Sequence, residues 1–557
     1  MDGLIHRDVY TSHKYVTLVS MSTEKSALQP PMQWDAWGDP AKKRELSDAV
    51  TSLLTGFLGV SAPTRSRLAI EDVQVAPSAM PRSHVEALSG LVGAEYVSTK
   101  DSDRILRAGG KSTPDLLRRR SVEPQDAPDA VVTPGTVAEV EQILRYCSAN
   151  RIAVVPFGGG TSVVGGLDPI RDGFDAVLSL DLRRFDQLVG LDEESGIATF
   201  GGGTTGPRAE ELLREHGFSV GHFPQSFLFA TLGGFAATRS SGQASAGYGR
   251  FEDMVQGLTV VTPSGVIETG RAPASAAGPD LGELFVGSEG TFGVITHVRV
   301  RVHRLPETTV REGWSFPDFA TGAAALRELV QEGSAPTVLR LSDEAESGVN
   351  LATTDKIGEN AFTGGCLGIT TYEGTASHTA ERMAEARAIL TAHGGTSLGE
   401  EPGNSWEHGR FDAPYLRDAL LDVGALCETL ETATTWGNLA NLRSSVTEAL
   451  TKALVEQGTQ PLVMCHISHT YKTGASLYFT VVSAQTEDPI AQWHKAKTAA
   501  GDAIIAAGGT ITHHHAVGAD HRPWMKDEIG ELGANILRAV KNAVDPAGIL
   551  NPGKLIP

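Results

Sequence analysis

Pro156-Phe157-Gly158-Gly159-Gly160-Thr161-Ser162, with Gly165-Gly166 close behind, decides the fold of this 557-residue chain. The stretch leaves a short apolar strand, Ala153 to Val155, and enters three glycines at once. Without Cβ atoms in the way, successive backbone N–H groups can converge on an anion. Thr161 and Ser162 add hydroxyl donors, and a diphosphate is the natural occupant. The spacing is neither the GK[ST] of a Walker loop nor a GxGxxG that opens a helix. Three later segments have the same texture. Pro224-Gln225-Ser226-Phe227-Leu228-Phe229-Ala230 runs into Thr231-Leu232-Gly233-Gly234, and Thr238-Arg239-Ser240-Ser241-Gly242 follows. Glu289-Gly290-Thr291-Phe292-Gly293-Val294-Ile295 leads into a strand in which Val298, Val300 and Val302 alternate with arginines.

Working outward, residues 126–306 alternate strand, loop and helix. Ala138 to Cys147 reads as a helix, Val177 to Leu182 and Ile197 to Phe200 as strands, and Gly257 to Ile267 as a hairpin around Pro263–Gly265. Residues 31–125 hold amphipathic helices, among them Ser47 to Leu58 with Val50, Leu53, Leu54 and Leu58 on one stripe. Residues 307–505 form a second α/β region with helices over Thr321–Gln331, Ala380–His393 and Asn441–Glu456. Residues 506–557 hold a short strand entering a histidine run, a helix near Glu528–Val544 and an extended tail. Residues 1–30 read as a disordered extension, or translation starts at Met21 or Met32.

Composition narrows the function. A formal net charge of −20 argues against a nucleic-acid partner. The chain has no run of about 18 apolar residues and no signal-peptide core, so a soluble, cytoplasmic protein is expected. Cys147, Cys366, Cys427 and Cys465 form no CxxC and read as reduced, buried thiols.

The chemistry-bearing residues lie in the C-terminal half. Thr512-His513-His514-His515 is an imidazole cluster, open to a catalytic or a metal reading. Tyr478 shares a strand face with Ser476 and Thr480, where a phenol could move a proton. Arg340 and Arg417 offer forks that fit phosphate oxygens.

The four glycine-rich segments, in this order, resemble the FAD domain of the vanillyl-alcohol-oxidase / p-cresol methylhydroxylase superfamily. The resemblance implies an α+β fold. It has a two-subdomain FAD-binding domain, an α/β cap over the substrate and a helical N-terminal segment, with the C-terminal segment completing the active site. It carries FAD contacts onto Pro156–Ser162, Pro224–Ala230, Thr238–Ser241 and Glu289–Ile295. Thr161 stands where some members place a flavin-linking histidine, so non-covalent FAD is implied.

From Trp34-Asp35-Ala36-Trp37-Gly38 to near the C-terminus, the chain further resembles the alkyldihydroxyacetonephosphate synthase family, as a bacterial member. By that resemblance Arg417 falls on the substrate-phosphate arginine, Tyr478 on the catalytic tyrosine and His513, His514 and His515 on the triple histidine. Arg340 falls on a further arginine needed for activity. The implied reaction exchanges the acyl group of 1-acyl-dihydroxyacetone phosphate for a long-chain fatty alcohol, through a flavin N5 adduct with no net redox. The implied partners are those two substrates, a second copy of the chain as a homodimer, and peripheral contact with a membrane; no metal is implied. The competing reading is an FAD-linked 2-hydroxyacid dehydrogenase of the D-lactate or glycolate type. Cys465-His466-Ile467-Ser468-His469-Thr470 lacks the GDGN of those enzymes, and His514 replaces an acidic ligand. A non-catalytic flavin-binding protein is the third reading.

Overall fold

The computed structural model describes residues 32–61, 67–350 and 365–557. The expected extension at 1–30 lies outside them. Two sheets carry the glycine loops. The first has four strands in the order Val97–Ser98, Ala130–Val132, Ala176–Asp181, Ile152–Phe157. The last three run parallel and are almost wholly buried, as parallel strands covered on both faces must be. Helices Arg82–Val92 and Val137–Ala149 pack against this sheet through Leu88, Val92, Val140, Ile143 and Leu144. The extended tail lies along Ile152–Phe157: Val154 N donates to Ile549 O and Asn551 N donates to Val154 O, both at 2.8 Å. The Pro156–Ser162 loop thus leaves the carboxyl end of a parallel strand, where α/β sheets place their ligands.

The second sheet is five-stranded and antiparallel, in the order Leu188–Asp192, Ile197–Gly201, Val294–Arg301, Val255–Thr262, Gly265–Glu268. The expected hairpin and the alternating valine strand are both in it.

The third sheet has seven antiparallel strands in the order Thr396–Gly399, Thr308–Phe316, Cys366–Gly374, Val338–Ser342, Leu462–Ile467, Gly474–Ala484, Ala425–Thr435. Helices Leu439–Val455 and Pro489–Ala506 cover one face of it, against Leu430, Leu477, Phe479 and Val481. The period of two along a strand sends the alternate residues to the other face, and that face becomes the floor of the site.

The amphipathic stripe near the N-terminus forms the helix Asp48–Gly56, capped by Ser47, which buries Val50 and Leu54 against Leu420, Cys427, Met464 and Val482. The helices expected at 321–331, 380–393 and 441–456 are Phe319–Glu332, Ala376–Ala392 and Leu439–Val455. The C-terminal helix is Met525–Val544, kinked at Gly530, where φ is +73°. All four cysteines are free and buried. No helix of the described residues is long and apolar enough to cross a membrane.

Candidate active site

A cavity of about 390 Å³ lies between the glycine loops and the open face of the seven-stranded sheet. Residues directly opposite one another in antiparallel strands point to the same side, so the register writes out the floor in rows. Cys427, Val482 and Leu462 make an apolar row, and Thr429, Thr480 and Met464 a mixed one. Glu431, Tyr478, His466 and Ser342 make a titratable row. Chemistry is concentrated at one end of the face and hydrocarbon at the other. Leu416, Leu420 and Arg417, from the helix Ala413–Asp422, also line the cavity.

Tyr478 is ringed by imidazoles. It stacks on His466 with centroids 4.9 Å apart, lies parallel to His514 at 6.0 Å and meets His515 edge-on at 5.6 Å. Burial raises its phenol pKa, so the phenol is protonated at neutral pH. His466 Nδ1 lies 2.8 Å from Glu346 Oε2. Glu346 is fully buried, accepts from the Ser342 hydroxyl at 2.7 Å and pairs with Arg340. Burial opposes its charge, but His466 and Arg340 outweigh burial and hold the carboxyl well below the usual range. Arg340 is therefore committed to Glu346 and to the edge of His466, 3.0 Å from Nδ1, and its own Nε has no partner.

The histidine run is not the end of a strand, as expected, but irregular backbone. The reason is Glu431, a fully buried carboxylate that gives the run's N–H groups a partner outside any ladder. It accepts from the Thr512 hydroxyl at 2.7 Å, from His515 N at 2.8 Å and from His514 N at 3.1 Å, as well as from His513 N. The alternation of faces expected for His513, His514 and His515 consequently fails. His513 Nε2 lies 2.6 Å from the Tyr471 hydroxyl, and His513 Nδ1 lies 2.9 Å from His514 Nδ1. His469 Nδ1 meets the Ser241 and Ser245 hydroxyls at 3.0 and 2.8 Å. One ligand atom from each of His469, His513 and His514 falls within 4.8 Å of the others; a hydrogen bond joins His513 to His514, and His469 packs against both rings. Burial lowers the pKa of all four imidazoles, His515 to about 3, so they are neutral at physiological pH.

The opposite wall fits a flavin cofactor on physical grounds. A Cβ on Gly158 would sit 2.4 Å from the Thr231 hydroxyl, and one on Gly159 would sit 2.1 Å from the Phe229 carbonyl oxygen. At Gly159 the loops approach backbone to backbone and at Gly158 backbone meets the Thr231 side chain, so neither position has room for a side chain where the loops line the cavity. Buried polar atoms without partners, Gln225 Nε2 and Gln243 Oε1, lie on side chains that line it. Of the residues chosen from sequence, Pro156–Ser162, Pro224, Gln225, Ser226, Ala230, Thr238, Ser240, Ser241, Glu289, Gly290, Gly293 and Ile295 line the cavity. Phe227, Leu228, Thr291, Phe292 and Val294 do not, and Phe229 lines a smaller neighbouring pocket. Arg239 caps a helix in the left-handed region, φ +52°, and reaches away to Glu283. Gly159→Ala is expected to weaken flavin binding by at least about tenfold, since backbone on both sides cannot yield. Titrating apo-protein with FAD by absorbance and fluorescence measures it, and wild-type affinity would refute the close packing.

Arg417 lines the cavity, donates from Nη1 to Lys111 O at 2.6 Å and leaves Nε buried without a partner. Sequence reasoning missed Glu346 and Glu431, and quoted His466 and His469 only for the motif they lack. Their signals are contacts between residues 120 and 82 positions apart in the chain, which no local pattern carries.

The sequence and the fold both have known relatives. The chain matches the family model "FAD binding domain" over residues 128–270 and the model "FAD linked oxidases, C-terminal domain" over 305–555. It is 34% identical over 503 residues to alkyldihydroxyacetonephosphate synthase of Trypanosoma brucei brucei, covering 86% of this chain and 82% of that one. It is 32% identical over 575 residues to the enzyme of that name from Dictyostelium discoideum, covering 95% and 94%. A solved alkyldihydroxyacetonephosphate synthase structure superposes with a TM-score of 0.79 at 31% identity, over 94% of this chain and 99% of that one. p-Cresol methylhydroxylase, at 17% identity and a TM-score of 0.65 over 86% and 98%, shares the fold alone.

Proposed function

Since the chain belongs to the alkyldihydroxyacetonephosphate synthase family of FAD-linked enzymes, we propose that it replaces the acyl group of 1-acyl-dihydroxyacetone phosphate with a long-chain fatty alcohol. The products are the 1-alkyl ether and a free fatty acid. The observation that carries this reading is the graded floor of the cavity: a titratable row at one end, and Leu416, Leu420, Cys427, Met464 and Val482 at the other. Such a site suits a substrate with a small charged head and a long hydrocarbon tail.

Bound FAD supplies an electron sink that ends the exchange in the redox state in which it began. The chain's own groups do the rest. Arg417 would hold the phosphate with the guanidinium hydrogens that its contacts to Lys111 O and to Asp418 leave over, and so fix C1 over the titratable row. Tyr478, after its phenol hands its own proton to one of the neutral imidazoles around it, would take and return a proton at C1 through its oxygen. His514 and His515, neutral and backed by Glu431, would stabilise negative charge developing on the neighbouring carbonyl oxygen by hydrogen bonding.

The deciding experiment incubates the purified, FAD-loaded protein with 1-palmitoyl-dihydroxyacetone phosphate and labelled hexadecanol, with no electron acceptor. Labelled ether is expected. Reduction of a dye by D-lactate or glycolate without ether would replace this reading with the dehydrogenase. Arg417→Ala is expected to raise KM for the phosphorylated substrate about 30-fold, the effect of losing a charge-assisted contact worth about 2 kcal/mol. The effect on kcat should be smaller; an unchanged KM would remove Arg417 from the phosphate site.

A further inference from the structure

We propose that His466, oriented through Nδ1 by Glu346, is a further catalytic residue and takes the hydroxyl proton of the incoming alcohol at Nε2. The inference rests on the reaction proposed above. In that reaction the bond from C1 to the ester oxygen breaks and its electron pair leaves with the carboxylate. A bond from C1 to the alcohol oxygen forms from an oxygen lone pair. The alcohol proton must go to a base, which then passes it to the departing carboxylate or to water. Nothing is oxidised or reduced overall.

Position selects the base. Met464 in the mixed row and His466 in the titratable row are two residues apart on one strand, about 7 Å along it. A tail lying over Val482, Leu420 and Met464 brings its terminal hydroxyl to His466 and Tyr478. Both line the cavity.

Protonation state then decides between the candidates. Tyr478 carries its proton at rest and its oxygen is committed to C1 in the proposed reaction, so it is not free for the alcohol's proton. With Tyr471 donating to His513 Nε2, His513 Nδ1–H donates to His514 Nδ1, which leaves His514 with a proton on Nε2. His514 is therefore a donor toward the cavity. His515 Nδ1 stands 3.7 Å from Glu431, whose oxygens are filled by hydroxyl and backbone donors.

His466 alone in this group has a carboxylate at hydrogen-bonding distance of its ring, 2.8 Å. Arg340 also lies 3.0 Å from Nδ1 but pairs with Glu346 through the same Nη2. The carboxylate can only accept and the guanidinium only donate, so the two compete for Nδ1; the shorter contact, to the anion, takes the Nδ1 proton while Nη2 spends a hydrogen on Glu346, and Nε2 carries the lone pair. The buried carboxylate also stands ready to stabilise the imidazolium that proton transfer creates.

The test uses FAD-loaded wild type, His466→Gln and Glu346→Gln at equal flavin occupancy, checked by their visible spectra. Ether formation from hexadecanol is compared with exchange of labelled palmitate into 1-palmitoyl-dihydroxyacetone phosphate, which needs no alcohol. In His466→Gln, ether formation is expected to fall about 100-fold, the lower range for losing a general base, and palmitate exchange less than tenfold. The more acidic 2,2-difluorohexadecanol should recover most of the loss. In Glu346→Gln, the acid limb of the pH profile for ether formation should move to lower pH. The charged and titratable groups facing His466 are Arg340, Glu346, Tyr478, His469 and His514, and only Glu346 among them favours the imidazolium. Equal loss of exchange and ether formation, ether formation within threefold of wild type, or an unmoved acid limb overturns the proposal. Wild type that exchanges palmitate but forms no ether overturns the proposed function and this inference together.

Discussion

Tyr478→Phe is expected to bind FAD like wild type and to form ether about 1000-fold more slowly, within the range for removing a positioned acid–base group. The substitution deletes one oxygen and keeps the ring. The stack on His466, the parallel contact with His514 and the edge contact with His515 all survive. The strand survives too, since Tyr478 is paired on both sides, to Glu431 and to His466. What disappears is the only phenol in the titratable row. Because the proton it moves lies on C1, the loss should fall on kcat, with KM for the phosphorylated substrate nearly unchanged. Washout of tritium from C1 measures the step independently of ether formation and should fall in parallel. Undiminished washout would assign the C1 proton to another group, and loss of bound flavin would make the residue structural.

The part of this site legible in the sequence is the part written in consecutive residues. Three glycines in a row after a buried strand specify close backbone approach whatever the rest of the fold does, and the cavity is lined by that loop. The valine alternation at 298–302 and the amphipathic stripe at 47–58 are local in the same sense. Arg239 shows where locality fails. It sits among cavity-lining residues, but the left-handed turn at its own position aims it at Glu283. The His466–Glu346 pair depends on the register between Val338–Ser342 and Leu462–Ile467, two strands 120 residues apart. The expected strand into His513 failed for a related reason. Strand propensity supposes a ladder for the backbone N–H groups, and here a single side chain takes three of them.

That side chain carries the second large effect. Glu431→Ala is expected to lower thermal stability by about 3–5 kcal/mol, the cost of removing the acceptor from a buried charged network. In a chain of this size that is a fall of about 3–4 °C in the unfolding midpoint. The Thr512 hydroxyl and three N–H groups of this half-buried segment would all lose their acceptor. Glu431→Gln should lose less, because its carbonyl oxygen replaces one acceptor while its amide hydrogens face donors.

The pH dependence separates this carboxylate from Glu289, which grips the other end of the same segment by accepting from Val517 N and Gly518 N. Burial opposes the charge of Glu431, but His514, His515 and His513, which gain charge in the acid range where Glu431 would titrate, and the Thr512 hydroxyl hold its pKa well below the ordinary value. Its contribution is therefore complete above the ordinary glutamate pKa and is lost as pH falls through the depressed one. Burial instead pushes Glu289 up to about 7, so its contribution is complete below the ordinary glutamate pKa and is lost as pH rises through about 7. Relative to wild type, Glu431→Gln should lose most at neutral pH, and the gap should begin to narrow on acidification below about pH 4. Differential scanning fluorimetry at pH 3.5, 5.5 and 7.5 (about two units apart, spanning both windows) measures the gap. A gap that is constant with pH would show that Glu431 is neutral in the folded protein and would leave the histidine run without its anionic anchor.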